Sequence, residues 1–326
     1  MLAHGGGGSL TGDLIKNTIL PALGRTPGKL SDSAPVPGFD GLYFTTDAYV
    51  VKPPDFPGGN IGSLAVHGTL NDLAVCGAKP LAVALSLVIE EGLEKSILEK
   101  ALQCAGSASR MCGVPVVTGD TKVVARNEAD GLFITTSGVG RLIAEIRPSE
   151  AEPGDCVILS GSAGDHGIAV LSAREGIEFE TIVRSDSAPV WPMVEALINE
   201  NITIHAMRDP TRGGIAASLN ELADASDISI VLEEKSIPVK PAVSAACEML
   251  GLNPLSVANE GKIVFLVPET EAQHTLDTLH ALENGADAAI IGKAVVRRNK
   301  AVYLKTVFGT ERTVEMPYGE ELPRIC

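Results

Sequence analysis

The sequence predicts an α+β protein of two domains, each a sandwich of helices against a mixed sheet. Three observations predict it. The chain of 326 residues is long enough for two hydrophobic cores. Its patterned segments run β-β-α-β-α-β-β and then β-α-α-α-β-α-β-α-β-β, without the regular alternation of a doubly wound parallel sheet. Between the two runs, "IRPSEAEPGD" shifts to proline and charge, which sets a boundary near residue 148. The expected units are residues 1–148 and 149–315. A tail, 316–326, is expected to be extended and mobile because it carries two prolines and a glycine.

The elements follow in order. The chain opens glycine-rich, with a short helical pattern at Leu14, Ile15, Thr18 and Ile19. "SDSAPVPG" reads as a loop, and "FDGLYFTTDAYVV" as a strand pair turning at Asp40 and Gly41. Apolar Ile61, Leu64, Ala65, Leu73 and Ala74 predict a helix over 61–78, closed by Gly77 and Pro80. "LAVALSLVI" is a strand. Residues 93–112 show the clearest amphipathic period, with Leu93, Ile97, Leu98, Ala101, Leu102 and Ala105 on one face. "VPVVTG" and "GLFITTSGVGRLI" are strands. The second half opens with strand "CVILSG" and the glycine loop "GSAGDHG". Helices are predicted near 189–200, 214–225, 241–250 and 271–283, and strands at 228–233, 262–267, 288–297 and 301–307.

Composition narrows the partners. A formal charge of −15 repels nucleic acid and anionic lipid, so neither is expected. No apolar run approaches the ~20 residues that span a bilayer. The start lacks the basic and apolar regions of a signal peptide. The six cysteines form no C-x-x-C pair, and five sit in apolar patterns, which fits a reducing cytoplasm. The sixth, Cys326, ends the chain.

Several nucleotide and metal motifs are missing: there is no P-loop, no G-x-G-x-x-G after a strand and no H-E-x-x-H. What stands out is a set of aspartates among small or apolar residues: Asp47 in "FTTDAYVV", Asp72 in "TLNDLAVCGAKP" and Asp120 in "VTGDTKVV". An isolated carboxylate is costly to bury there. Brought together, the three would repel one another without a cation between them, and hard oxygen ligands suit Mg²⁺ carrying a nucleotide's phosphates. A helix cap or a loop turn accounts for any one of them equally well. Lys122 can reach the same phosphates, or be a solvated lysine. "HGGGGSLTG", with Gly6, Gly7 and Gly8, can lay backbone N–H groups on phosphate oxygens, though a flexible terminus explains it better. "MRDPTRGG", with Arg208, Asp209, Thr211, Arg212 and Gly213, can bind an anion at a helix start, or simply start the helix. Glu260 in "VANEGKIVF" is a turn residue or a base. Among the histidines, His4 and His166 stand in glycine loops where they can touch a ligand.

Taken together, "HGGGG", "TTDAYVV", "FPGGNIGSLAVHGTLNDLAVCGAKPLA", "VTGDTKVV", "LSGSAGDHGIAV", "MRDPTRGG", "ANEGK" and the terminal "PRIC" resemble the hydrogenase maturation factor HypE family. That family sits in a wider group with aminoimidazole ribonucleotide synthetase, selenophosphate synthetase and thiamine-monophosphate kinase. The aspartate motifs indicate only the wider group, and the terminal cysteine narrows it. The resemblance implies the two-domain aminoimidazole ribonucleotide synthetase-like fold, with an N-terminal domain forming an intersubunit β-barrel in a homodimer. It implies ATP and Mg²⁺ as cofactors, with Asp47, Asp72 and Asp120 as metal ligands. Asn71, Asp47, Asp72, Asp120, Lys122, Gly6, Gly7, Gly8, Arg208, Asp209, Thr211, Arg212 and Gly213 are then nucleotide-binding positions. It also implies an activity. Cys326 accepts a carbamoyl group from the carbamoyltransferase HypF, and ATP drives its dehydration to a thiocyanate with Lys122 and Glu260 assisting. The cyano group then passes to iron on the HypC–HypD complex. The "HGGGG" run departs from the family in lacking a small residue among its glycines. Two other readings predict different behaviour. A relative acting on a free small molecule, such as a selenophosphate synthetase or a kinase, would not need the last residues. A nucleotide-binding scaffold presenting a redox thiol would release no phosphate.

Overall fold

The computed structural model describes residues 8–25, 31–176, 182–319, 322 and 324–326. The first domain begins with α1 (Gly8–Leu14), which runs through a wider turn at Ile15–Ile19 into α2 (Leu20–Ala22). Strands β1 (Ala34–Pro35) and β2 (Leu42–Tyr49) follow, then the small hairpin β3 (Asp55–Phe56) and β4 (Gly59–Asn60). The rest is α3 (Ile61–Ala74), β5 (Ala78–Glu90), α4 (Lys95–Cys112), β6 (Val116–Val124) and β7 (Leu132–Leu142). The sheet order is β1-β2-β7-β5-β6. Only β5 and β6 are parallel, and α4 is the crossover that a parallel pair requires. The strand pair expected around Asp40 and Gly41 has a first strand of two residues, Ala34 pairing with Phe44 and Pro35 with Tyr43.

Helix α3 is the spine of this domain. Asn60 caps it: its side chain accepts from the Gly62 and Ser63 N–H groups, and its own N–H donates to the Ser63 hydroxyl. The helix packs on β2, β7, α4 and α6 (Trp191–Asn199), so nearly every residue from Ile61 to Ala74 is buried. It ends four residues earlier than expected because Ala78 already begins β5.

The second domain continues from β8 (Cys156–Leu159) through α5 (Asp165–Glu175), α6, β9 (Ala206–Arg208), α7 (Gly214–Ala225) and β10 (Ile228–Glu233). It ends with α8 (Pro241–Leu250), β11 (Val264–Val267), α9 (Ala272–His280), β12 (Ala289–Val296), β13 (Val302–Lys305) and β14 (Glu311–Thr313). The sheet order is β14-β13-β10-β12-β8-β11-β9. Alternation along β8 fills two cores: Val157 and Leu159 meet α7 residues such as Leu219 and Leu222, while Ile158 meets α6 and α9 residues such as Leu197 and Leu279. Helix α5 and strand β14 were not expected from the pattern. The start of α5 is capped by Gly164, which offers no side chain, and Asp165 to Val170 are buried all round, so no amphipathic period marks it.

The tail is the largest departure from expectation. Its described residues are docked. The Val50 N–H donates to a terminal carboxylate oxygen of Cys326 (3.2 Å) and the Lys52 N–H to the Arg324 carbonyl (3.2 Å), so the chain end lies alongside the extension of β2. Arg324 donates to the Val50 carbonyl and pairs with Asp130, which Lys52 also holds at 2.8 Å. Arg174 of α5 donates to the Lys52 carbonyl (2.8 Å) and the Arg324 carbonyl (2.7 Å). Nearer its root, the tail accepts from α1: Ser9 N–H to the Pro317 carbonyl and Leu10 N–H to the Tyr318 carbonyl.

Candidate active site

The docked tail brings Cys326 to the edge of a cleft of about 850 Å³ between the two domains. Strand periodicity sets one wall. Thr45, Asp47 and Tyr49 alternate along β2 and share one face. Gly68 and Asp72 lie one helical turn apart on α3 and face the same way. A side chain at Gly68 would meet the Tyr49 hydroxyl, since a Cβ there would lie 2.2 Å from it. The opposite wall is the turn before α7, where Gly213 (φ +78) and Gly214 (φ +61) take a left-handed backbone that aims Asp209, Thr211 and Arg212 into the cleft.

Three carboxylates converge there. Oxygens of Asp32, Asp72 and Asp209 all lie within 4.8 Å of one another. The Thr45 hydroxyl lies 2.8 Å from both the Asp72 carboxylate and the Asp32 carbonyl, tying the two segments together. Burial, then the charges of Asp209, Asp32 and Asp47, raise Asp72 well above the ordinary carboxylate range. Burial and Asp32 push Asp209 up to about 7. Arg208 offsets part of this charge by bridging Asp32 and Glu221, each at 3.0 Å.

Near Cys326 a cationic group stands among the acidic ones. Arg212 lies 4.0 Å from Asp47, and the charge at Cys326 is the largest influence holding its guanidinium protonated, followed by Asp47 and Glu260. Glu260 is buried with one carboxylate oxygen, Oε1, unpartnered. Burial, then Asp209, Asp47 and Asp186, raise its pKa well above the usual value.

The expected site residues therefore divide. Asp47, Asp72, Gly8, Arg208, Asp209, Thr211, Arg212, Glu260 and Cys326 line one cleft. Gly213 serves the turn behind it. Gly6 and Gly7 lie outside the described residues. Asn71 does not face the cleft: its amide donates to the Ala188 and Glu260 carbonyls and its oxygen accepts from the Val190 N–H, clamping the two domains together. Asp120 and Lys122 are not in the cleft of their own chain. They pair with each other at 2.7 Å on β6, at the exposed edge of the sheet. The clustered triad is thus Asp32, Asp72 and Asp209 rather than Asp47, Asp72 and Asp120. Asp32 carries no signal of its own in "SDSAPVPG", which reads as a loop, although it stands among small residues just as the other aspartates do.

A two-domain α+β chain with an acidic cluster and a basic turn in its interdomain cleft is the arrangement of the aminoimidazole ribonucleotide (AIR) synthetase class. The comparisons agree. Residues 31–142 match the family model for the N-terminal domain of AIR synthase related proteins, and residues 152–305 match that for the C-terminal domain. The chain is 49% identical to the carbamoyl dehydratase HypE of Rhizobium leguminosarum bv. viciae, over all of this chain and 94% of that protein. It resembles a HypE crystallised with ATP, with a TM-score of 0.85 and 41% identity covering 100% of this chain and 99% of the other. It also resembles the chain in a HypE–HypF complex, with a TM-score of 0.87 and 41% identity covering 93% and 99%. The chain belongs to the HypE family.

Proposed function

We propose that this chain is an ATP-dependent carbamoyl dehydratase whose substrate is its own C-terminus. An S-carboxamide on Cys326 is dehydrated to a thiocyanate, the source of the cyano ligand of [NiFe]-hydrogenase iron. The observation that carries this reading is the seating of Cys326 in the same cleft as the acidic cluster. Support also comes from the relatives, named carbamoyl dehydratases and crystallised with ATP and with HypF.

The donor set fits Mg²⁺. Three hard carboxylate oxygens converge within 4.8 Å, and burial and the neighbouring carboxylates raise two of the groups above their ordinary range. Asp32, Asp72 and Asp209 would hold the ion, which when bound neutralises phosphate charge. The chain's own residues do the rest. The S-carboxamide oxygen attacks the γ-phosphorus of ATP and ADP leaves, which converts a poor leaving group into phosphate. Arg212 stands beside Cys326 to meet the negative charge that develops there. The C–O bond then breaks with release of phosphate, while the amide nitrogen gives up its two protons and the nitrile forms. Glu260 is the base for one of them: a buried carboxylate that holds its proton tightly is a strong base once it has lost it.

Asp120 and Lys122 fit a homodimer. Strand β6 is exposed along almost its full length, with Val117 and Val123 more than 60% exposed. An apolar strand of this kind calls for a cover, and an intersubunit β-barrel supplies one. Asp120 and Lys122 then stand at the seam, within reach of a second chain's site. HypF is the proposed carbamoyl donor, the HypC–HypD complex the acceptor and the cytoplasm the location. No helix among the described residues is long and apolar enough to cross a membrane.

Peptide-resolved mass spectrometry tests the chemistry. Cys326 carbamoylated by HypF should gain about 43 Da and lose about 18 Da on addition of Mg·ATP, as a covalent substrate requires. Carbamoylation without ATP-dependent loss of water overturns the reading.

A further inference from the structure

His166 has no part in the chemistry above, yet it is fully buried and both of its ring nitrogens are bonded. Its Nε2 lies 3.0 Å from the carbonyl of Ile325, the residue before Cys326. A carbonyl only accepts, so Nε2 carries the proton. Nδ1, 2.8 Å from the Ser185 hydroxyl, is then the acceptor. The Ser185 oxygen in turn accepts from the Ser187 N–H at 3.1 Å, so every donor in this relay points toward the tail. Burial lowers the ring's pKa and keeps it in this neutral form. Phe56 packs edge-on against the imidazole, with centroids 5.4 Å apart, and fixes its plane. The carbonyl it holds belongs to a residue only 4% exposed.

We infer that His166 is a positioning residue. Its Nε2–H holds the Ile325 carbonyl and so sets where the Cys326 thiol stands in the cleft. The contact reads backbone and not side chain, so it registers how far the tail has entered, whatever residue occupies position 325. The lever is short, because one peptide unit separates the held carbonyl from the Cα of Cys326. It also reaches the candidate base. Asp186, next to Ser185, accepts from the Glu260 N–H at 3.2 Å, so the segment that orients the imidazole also fixes Glu260. The purpose of the contact rests on the dehydratase reading, but the seating of the tail can be measured without any dehydration.

The test uses the full-length protein and reads the alkylation rate of Cys326 by peptide-resolved mass spectrometry. His166→Phe keeps an aromatic ring and removes the donor. It should raise labelling of Cys326 about fivefold to tenfold, as loss of one buried hydrogen bond implies, while leaving the ATP-induced rise in Tm unchanged. His166→Gln places an amide N–H near the lost Nε2–H and should restore labelling to within about twofold of wild type. A merely structural histidine would not show that rescue. Wild-type labelling in His166→Phe, or no rescue by glutamine, overturns the inference. If the phenylalanine variant does not fold, Ser185→Ala decides. It frees the tautomer and should raise labelling, and wild-type labelling there overturns the inference. Failure of the dehydration chemistry alone would leave these rates untouched, so the two claims fail separately.

Discussion

Asp72 lies near the end of a buried helix with three other carboxylates around it, and its charge is unfavourable until a cation arrives. The sign of the resulting pH dependence follows. A carboxyl whose folded pKa is raised binds its proton more tightly folded than unfolded. Its contribution to stability is full below the unfolded value near 3.8 and is lost as pH rises through the folded value, about 7 for neighbouring Asp209. The metal-free protein should therefore lose stability across that window, and Mg²⁺ should restore it. Asp72→Asn removes one of the crowded charges while Thr45 can still donate to the amide oxygen. At pH 7.5 without metal the variant should melt a few degrees higher than wild type, at ~2–4 °C per kcal/mol relieved. Its pH slope between 4 and 7 should be shallower, and its response to Mg·ATP should be lost. Thermal melts over pH with and without Mg²⁺ measure all three, and an unchanged metal response would remove Asp72 from the ligand set. At this scale the sequence was half legible. Aspartates among apolar neighbours stand out because burying them needs a reason, yet of Asp47, Asp72 and Asp120 only Asp72 joins the cluster, while Asp47 lines the same cleft and Asp120 lies outside it. Nothing local says which carboxylates converge: Asp32 reaches the cluster through the Thr45 tie, and Asn71 turns its amide to the interdomain backbone.

Strand β6 makes a parallel argument at the level of an element. Its register with β5 gives it a full ladder on one side, with Val88 opposite Lys122, and none on the other. Val117 and Val123 are 62% and 68% exposed, on an otherwise strongly charged chain. If a second copy covers this edge, placing charge at both valines should break the pairing. Val117→Glu with Val123→Glu should sediment as a monomer where wild type sediments as a dimer. Its dehydration rate should fall at least about tenfold, the cost of losing even one ~1.4 kcal/mol contact from Lys122 or Asp120 to the transition state. Thermal stability should fall only by what the lost pairing contributed, since neither residue is buried in the chain itself. A wild-type monomer, or a dimeric double variant, would end the barrel reading. Elements were legible where one face is wet and one dry. Helix α4 keeps its amphipathic period, although Leu102, expected on the buried face, is exposed, and α7, α8 and β10 fall on their expected bounds. Full burial hides the period, and α3 shows through only because its apolar positions recur and Gly77 and Pro80 close it. The start of α5 is closed on every side, so no period shows, and its cap is a glycine.

Across the whole molecule, the tail couples chain end to chain start and both domains to the cleft. Its root is bonded to α1, its penultimate carbonyl to α5, and its last residue to the extension of β2. Composition suggested a loose arm because prolines and glycine forbid a helix. An extended segment can nonetheless borrow backbone partners from a neighbour, which no local pattern reveals. The docking leaves little slack. The Cys326 terminal carboxylate accepts from Val50, the Ile325 carbonyl is held by His166, and the Arg324 carbonyl is held by Lys52 and Arg174. Anything added beyond Cys326 must therefore project into the cleft, beside Arg212, or pull the final residues out. Extending the chain by a single glycine also moves the terminal carboxylate away from the cysteine that Arg212 faces. Such a protein should still accept a carbamoyl group at Cys326, because loading draws the tail toward another enzyme. It should fold with unchanged Tm and show the same Mg·ATP response, because the acidic triad is untouched. Dehydration should fall by at least about tenfold, since each ~1.4 kcal/mol of misplacement costs that factor. Single-turnover mass spectrometry on the loaded, extended protein measures it. Wild-type dehydration would mean that the cleft receives the tail in some other register, with Cys326 not fixed by the contacts seen here.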